Sequence, residues 1–211
     1  MKYVIFSAIL QSVETDGFWG DWGEEERCPN GQFVDGYRLQ TEPVNGDNSA
    51  LNTIELLCAL PGSTSHVPIT SSTGFWGTFS NYLFCSGENN EVVGFQMMIQ
   101  PKQGGGDDTA ANKLDLFCKS GQKLSAPTET SFGDWVPHLR CPPGQGVVGL
   151  QVRMEAKQGE GDDTALNGVR MICSSYIEGH CFKNLARESF LVNQVRYTTF
   201  CKRLCSLQPI F

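Results

Sequence analysis

Gly161-Asp162-Asp163-Thr164-Ala165-Leu166-Asn167 is the stretch that decides the fold, because the chain carries it in three copies. The other two copies occupy residues 46–52 and 106–112. After each copy, apolar and polar residues alternate until a cysteine, at Cys58, Cys118 and Cys173. A motif that returns every 55–60 residues or so with the same tail marks an internal repeat, so the chain is interpreted as three related units.

The cysteines support the same division. The chain has nine cysteines and no C-x-x-C pair, which excludes zinc ribbons and thioredoxin-like redox sites. Six of the nine stand at equivalent places in the repeats, and pairing within each repeat agrees with both spacing and repetition. The predicted disulfides are therefore Cys28–Cys58, Cys85–Cys118 and Cys141–Cys173. Such a framework belongs to an oxidising compartment, so we expect a secreted, extracellular protein.

Charge and hydropathy exclude two classes of partner. The net charge is −7, and the last 35 residues carry +3, which leaves −10 on the other 176. An acidic body of this kind repels phosphate backbones, so nucleic acid is not an expected partner. The sequence contains no apolar run of membrane-spanning length, so no membrane span is predicted.

The repeats themselves predict β-structure. Tyr37, Leu39 and Thr41 alternate with polar residues, and segments beginning at Phe95 and Leu150 show the same period of two. This period is typical of half-buried strands. Each repeat is interpreted as about four short strands. No single unit of that size can cover its own apolar face, so the three must share one core.

The pattern also predicts the domain boundaries. One domain of three repeats is predicted over residues 10–176, with the repeats at 10–62, 63–122 and 123–176. Residues 1–9 are interpreted as an incomplete leader or as the start of the first strand. Residues 177–211 lack the motif and contain Cys181, Cys201 and Cys205 in a basic context, so they are predicted to form an atypical extension.

Each repeat opens with aromatic residues around a glycine. The three segments are Phe18-Trp19-Gly20-Asp21-Trp22, Phe75-Trp76-Gly77-Thr78-Phe79 and Phe132-Gly133-Asp134-Trp135. Our structural interpretation is that the rings fill space between sheets while the glycine allows close approach. The alternative is an exposed platform on which sugar rings stack.

The repeated motif also has two interpretations. Structurally, its Asp and Thr side chains build turns, and its Asn satisfies a peptide group at a strand entrance. Threefold repetition favours this role, because a catalytic pair is needed only once. Functionally, its carboxylates are ligand-binding candidates that would suit sugar chemistry if two of them converged. These candidates are Asp47, Asp107, Asp108, Asp162 and Asp163. No catalytic set, metal site or cofactor is assigned.

The combined pattern is similar to a known family. Trp-Gly-Asp-Trp, a Cys-Pro-x-Gly turn, Gly-Asp-Asp-Thr-Ala-Leu-Asn and a closing cysteine resemble the vitelline membrane outer layer protein 1 family over roughly residues 10–176. The resemblance implies an all-β fold, a β-prism of three Greek-key four-stranded sheets with pseudo-threefold symmetry. It also implies a secreted component of the egg's outer vitelline layer, with a transferase activity on N-acetylglucosamine oligomers credited to the family.

The sequence therefore favours a secreted structural or carbohydrate-binding component of an extracellular coat. Its expected partners are N-acetylglucosamine oligosaccharides or egg-coat glycoproteins. The alternative is a weak, lysozyme-like glycosyl transferase that transglycosylates N-acetylchito-oligosaccharides, and a third hypothesis is a soluble lectin of secretions.

Overall fold

The computed structural model describes residues 19–43, 50–88, 90–102, 109–128, 130–156 and 165–176, and its fourteen elements are all β-strands. The predicted all-β class is confirmed. Within these ranges no helix is long and apolar enough to cross a lipid bilayer. The strands are β1 Asp21–Trp22, β2 Glu26–Arg27, β3 Phe33–Thr41, β4 Leu51–Ala59, β5 Val67–Ile69, β6 Thr78–Phe79, β7 Leu83–Phe84, β8 Val92–Ile99, β9 Ala111–Cys118, β10 Lys123–Ser125, β11 Asp134–Trp135, β12 Leu139–Arg140, β13 Gln145–Met154 and β14 Leu166–Ser175.

The strands form three antiparallel sheets, which we call sheets I, II and III. In sheet II the order is β5-β4-β3-β6, and β7 also pairs with β3. Since β6 and β7 lie end to end along β3, they share one position, and the sheet has four. Three successive strands followed by a fourth that returns beside the first make a Greek key. Sheet III repeats this arrangement with β8 to β12.

Sheet I joins the two ends of the described chain. Its long hairpin is formed by β13 and β14, while the strands beside β13 are β1 and β2 from the start of the chain. In sheets II and III the strands on both sides of the central hairpin come from the following repeat, and in sheet I the strands beside β13 come from the first repeat. Because each sheet contains strands from two repeats, no repeat can complete a sheet without another.

The three sheets enclose one core, as the alternating pattern predicts. Inward side chains from all of them form a single apolar cluster. The inward positions of the three central strands are fully or almost fully buried: Tyr37, Leu39, Phe95, Met97, Leu150 and Val152. Burying large side chains of this kind contributes about 1.5–3 kcal/mol for each, which is the main force holding the sheets together.

The three disulfides link neighbouring sheets. Cys28 follows β2 of sheet I and bonds Cys58 in β4 of sheet II. The bonds Cys85–Cys118 and Cys141–Cys173 connect sheet II to sheet III and sheet III to sheet I. These are the pairs that the repeat predicts. Each closes a loop of 30–33 residues, which corresponds to about 3–4 kcal/mol of stabilisation by the chain-entropy estimate.

The aromatic segments lie outside the core, so the prediction that their rings fill space between sheets is wrong. Phe79 and Trp135 are each 40% exposed, and Phe75 is 68% exposed. Their glycines do allow close approach: Gly20, Gly77 and Gly133 all have positive φ. A Cβ at any of the three would lie 2.1–2.3 Å from a carbonyl oxygen of the neighbouring hairpin. The segment therefore packs through its backbone, and its rings lie outside the core, either exposed or partly buried.

Candidate functional site

The acidic candidates of the repeated motif lie outside the described residues. Those are Asp47, Asp107, Asp108, Asp162 and Asp163. What the structure does show is how each motif ends, because its last residues enter β4, β9 and β14. In sequence the motif stands between β3 and β4, between β8 and β9 and between β13 and β14, and each of these pairs of strands forms a long antiparallel hairpin.

The motif asparagine ties each hairpin to the next aromatic segment. The side-chain oxygens of Asn52, Asn112 and Asn167 accept hydrogen bonds from backbone N–H groups at 3.2–3.3 Å. The donors are Trp76, Phe132 and Trp19, and all three asparagines are fully buried. A buried peptide group needs a partner, so these residues are architectural, as the structural interpretation of the asparagine proposes.

The motif alanine adopts an unusual backbone conformation. Ala50, Ala110 and Ala165 have φ of 46–49°, in the left-handed region that side chains disfavour. Their carbonyls accept backbone hydrogen bonds at 2.8–2.9 Å from the end of the partner strand. These alanines are buried, so each methyl group fills space inside the protein with the smallest side chain available at this turn. The positive φ occurs in all three repeats, which also indicates a structural role for the motif.

Function is better sought where the three sheets differ. The register aligns Arg38 and Glu55 of sheet II with Gln96 and Asp115 of sheet III, and with Gln151 and Arg170 of sheet I. The neighbouring ring position is held by Phe79, Trp135 and Trp22. The same place in the fold therefore carries different chemistry on each outer surface.

Most of the exposed large hydrophobic side chains belong to the segment that completes sheet II. Six of the eight exposed large hydrophobic side chains among the described residues lie between residues 60 and 84, which contribute β5, β6 and β7. We call Arg38, Glu55, Phe79, Tyr82 and Phe84 the aromatic face. Tyr82 and Phe84 are 39% and 42% exposed, and their ring centroids lie 6.1 Å apart. A concentration of apolar rings on one of three equivalent surfaces marks an interaction surface.

Polar groups are fixed between these rings. Arg38 Nε lies 2.8 Å from Glu55 Oε1, and the Tyr82 hydroxyl donates to the same oxygen at 2.7 Å. The Arg38 guanidinium also stacks on the rings of Phe79 and Tyr82, at 4.1 and 4.4 Å. The hydrogen bond to Glu55 raises the pKa of the Tyr82 phenol above its usual value. The face thus combines ring surfaces with oriented donors and acceptors, the mixture found in specific ligand sites.

A cavity of about 250 Å³ lies at the end of sheet II where β3 begins and β4 ends. This end cavity is lined by Phe33, Asp35, residues 59–64, Cys85, Gly87, Glu88, Asn90 and Glu91. Its wall includes most of the connection between β4 and β5, which spans seven residues, whereas the equivalent connection between β9 and β10 spans four. The longer turn gives sheet II a cavity wall that the shorter turn of sheet III lacks.

Asp35 stands in the cavity wall because of a β-bulge. The pairing of β3 with β4 shifts between Val34 and Gly36, so Asp35 is the extra residue. Its Oδ2 lies 3.2 Å from His66 Nε2, while its Oδ1 is buried and has no hydrogen-bond partner among the described residues. Burial raises the pKa of this carboxyl, and His66 lowers it in part. Bulges often redirect a side chain next to a functional site.

Glu91 is a buried carboxylate that also lines the end cavity. It is 5% exposed and lies 3.0 Å from Lys119 Nζ. The aromatic face leads toward this cavity through His66, whose ring centroid is 5.0 Å from that of Phe84. The described residues therefore form a continuous surface from the exposed rings to the acidic cavity.

Comparison with known proteins identifies the relatives of this chain. The family model described as vitelline membrane outer layer protein I matches residues 9–128 and 122–203. The chain belongs to the vitelline membrane outer layer protein I family. The human protein called vitelline membrane outer layer protein 1 homolog is 40% identical over 176 residues, covering 80% of this chain and 83% of the relative. The mouse homolog is 36% identical over 173 residues, with 79% and 83% covered.

Solved structures show the fold at low sequence identity. A mannose-binding lectin from Champedak matches with a TM-score of 0.50 and 11% identity, over 79% of this chain and 99% of that one. A prostate-specific WGA16 glycoprotein lectin also reaches 0.50, with 14% identity over 75% and 94%. The β-prism predicted from the family resemblance is thereby confirmed.

Sequence analysis missed both the aromatic face and the end cavity. A usable signal was present, because aligning the repeats places Asp35 opposite Val93 and Val148. A charged residue at a place where the other repeats hold valine is the kind of exception that function produces. The threefold motif is the clearest pattern in the sequence because it repeats, and a motif that every repeat needs indicates a structural role.

Proposed function

We propose that this protein is a secreted, disulfide-stabilised structural component of an extracellular coat that binds carbohydrate through the aromatic face. The observation that carries the proposal is the gathering of exposed rings on sheet II, one of three surfaces that the repeat would otherwise make alike. Three disulfides and membership of a family named after an egg-coat layer support the extracellular setting.

The chemistry of the face suits sugars. Tyr82 and Phe84 offer apolar ring surfaces against which the C–H face of a pyranose can lie, and Glu55 and Arg38 supply a fixed acceptor and donors beside them. A protein partner would fit a broader, drier patch without charged groups at its centre. N-acetylglucosamine oligosaccharides are the proposed ligands, and egg-coat glycoproteins carrying them are the proposed partners.

The test is a titration of the full chain with N-acetylchitohexaose, with heat of binding and product formation both recorded. We expect binding without turnover, and binding about tenfold or more weaker in Tyr82→Ala and Phe84→Ala, because each variant removes a stacking surface. Trp135→Ala is the matched control, since this ring is equally exposed on sheet III. An unchanged affinity in both sheet II variants would refute the aromatic face as the site.

The acidic motif loops are the competing location. Single Asp→Asn changes at Asp47, Asp107 and Asp162 keep most of a turn's hydrogen bonding and remove the carboxylate charge. We expect none of the three to change affinity for the hexasaccharide. Loss of binding or turnover at one of them alone would move the site to that loop.

A further inference from the structure

The turn before β3 carries an asparagine followed by a glycine on the surface of the protein. The Pro29 carbonyl accepts a hydrogen bond from the Gln32 N–H at 3.0 Å, so Asn30 and Gly31 are the two central residues of a β-turn. Gly31 has a φ of 78°, and Asn30 is exposed. Neither the Asn30 side chain nor the Gly31 N–H forms a hydrogen bond with another residue in the described part of the chain. Both groups are therefore available to react with each other.

The equivalent turn of the third repeat shows that the fold does not require this asparagine. There the Pro142 carbonyl accepts a hydrogen bond from the Gln145 N–H at 3.1 Å, and Gly144 has a φ of 79°. The residue at the place of Asn30 is Pro143, which suits the first central position of such a turn. Because the two turns share the hydrogen bond and the glycine conformation, the amide of Asn30 is not needed to form the turn.

We propose that Asn30 is a site of spontaneous modification, at which the side-chain amide is converted to aspartate and isoaspartate. The Gly31 backbone nitrogen loses its proton and attacks Asn30 Cγ. The new N–Cγ bond closes a succinimide ring, the Cγ–Nδ2 bond breaks, and the amide nitrogen leaves as ammonia with that proton. Water then opens the ring at the side-chain carbonyl, which gives aspartate, or at the backbone carbonyl, which gives isoaspartate. This inference does not depend on the proposed carbohydrate site.

The glycine and the exposed turn both favour ring closure at Asn30. Glycine has no side chain to hinder the approach of its nitrogen, and its backbone adopts more conformations than that of any other residue. An exposed turn closed by one backbone hydrogen bond also opens at little cost in free energy. Asn81 is exposed as well, but it is followed by Tyr82, whose side chain obstructs the same attack.

A second asparagine–glycine pair shows how the fold suppresses the reaction. Asn167 and Gly168 lie in β14, and Asn167 is fully buried. Its Oδ1 accepts a hydrogen bond from the Trp19 N–H at 3.2 Å, and its Nδ2 donates to the Ala165 carbonyl at 3.3 Å. Gly168 is paired with Arg153 of β13. Ring closure would require these contacts to break first, so the same two residue types should be inert here.

The products change the turn in two ways. Either one adds a negative charge at an exposed position, three residues before Phe33 of the end cavity. Isoaspartate also inserts an additional carbon into the backbone between Cys28, which is cross-linked to Cys58, and the start of β3. The longer backbone does not match the geometry of the hydrogen bond between Pro29 and Gln32. The modification therefore alters the end of sheet II as the protein ages.

The experiment follows the full chain during incubation at physiological temperature and mildly alkaline pH, with tryptic digestion after reduction and mass spectrometry of the peptides. Peptide 28–38 reports on Asn30, peptide 158–170 reports on Asn167, and the pair at 45–46, which lies outside the described residues, falls on a separate peptide. We expect Asn30 to be converted more than about tenfold faster than Asn167, because the buried site must open first. Labelling by an isoaspartyl methyltransferase identifies the isoaspartate.

Two controls separate the contribution of the fold from that of the sequence. The variant Asn30→Pro, which copies Pro143, should keep the native melting temperature and show no conversion in peptide 28–38. In the reduced chain unfolded in urea, Asn30 and Asn167 should be converted at similar rates. Equal rates in the folded chain would overturn the inference, and so would an Asn30 that stays intact in the folded chain while the unfolded chain is converted.

Discussion

The side-chain oxygen of Asn167 accepts a hydrogen bond from the backbone N–H of Trp19 at 3.2 Å, across 148 positions of the chain. This contact joins the last hairpin to the first aromatic segment. Asn52 and Asn112 make the equivalent contacts to the second and third aromatic segments. The molecule is therefore closed by the same interaction that connects its successive repeats.

Replacing Asn167 by alanine should destabilise the protein by about 1–3 kcal/mol, because the Trp19 N–H would lose its acceptor in a partly buried place. Denaturant unfolding measures the change. Asn112→Ala should cost a similar amount, and Asn81→Ala, on an exposed residue, should stay within about 0.5 kcal/mol. Equal stabilities for all three variants would contradict an architectural role.

An alanine with positive φ should tolerate replacement by glycine better than an alanine in a regular strand does. Ala110→Gly removes a buried methyl group but relieves a φ of 46°, so the net change should stay within about 1 kcal/mol. Ala59→Gly, equally buried but in a regular strand, should lose about 1 kcal/mol or more. Ala110→Val should be far more damaging than either, since a β-branched residue rarely adopts positive φ. Urea midpoints would rank the three, and a larger loss for Ala110→Gly than for Ala59→Gly would refute the strain.

Tyr37 is the polar connection inside the core. Its hydroxyl lies 2.8 Å from the Leu114 carbonyl and accepts the Ala126 N–H at 2.9 Å, so it links sheet II to sheet III. Burial raises the pKa of this phenol far above its normal value. Tyr37→Phe should cost about 1–3 kcal/mol in thermal unfolding, because it leaves a buried N–H without an acceptor. Tyr82→Phe, on the surface, is the control, and an equal loss there would argue against the buried network.

Asp35 predicts a pH effect with a definite sign. Burial raises its pKa in the folded protein, with His66 acting in the opposite direction and Glu91 adding to the rise. The folded state then holds this proton more tightly than the unfolded state, so its contribution is present at low pH and is lost as pH rises through the folded pKa. The melting temperature of Asp35→Asn relative to the native protein should therefore be higher at pH 7 than at pH 4. If the melting temperature of Asp35→Asn minus that of the native protein falls or stays constant between pH 4 and pH 7, the raised pKa of Asp35 is contradicted.

The family motifs were sufficient to predict the class of fold. Cysteine spacing and the alternation around Tyr37 indicate strands, inward faces and three cross-links, because burial and pairing act on each repeat in the same way. The Greek-key order, by contrast, came from the resemblance, since local periodicity carries no information on which strands are neighbours.

The sequence by itself determined the repeat, the strands, the buried face of each strand and the role of the motif asparagines as partners for peptide groups. Only the tertiary structure decided that each aromatic segment pairs with a hairpin of another repeat, that the disulfides join different sheets, and that Phe84 stands beside His66 and Asp35. The reason is physical. Periodicity records whether a side chain is buried, whereas the neighbours of a surface residue are set by strand register and sheet closure, which depend on contacts between residues far apart in the chain.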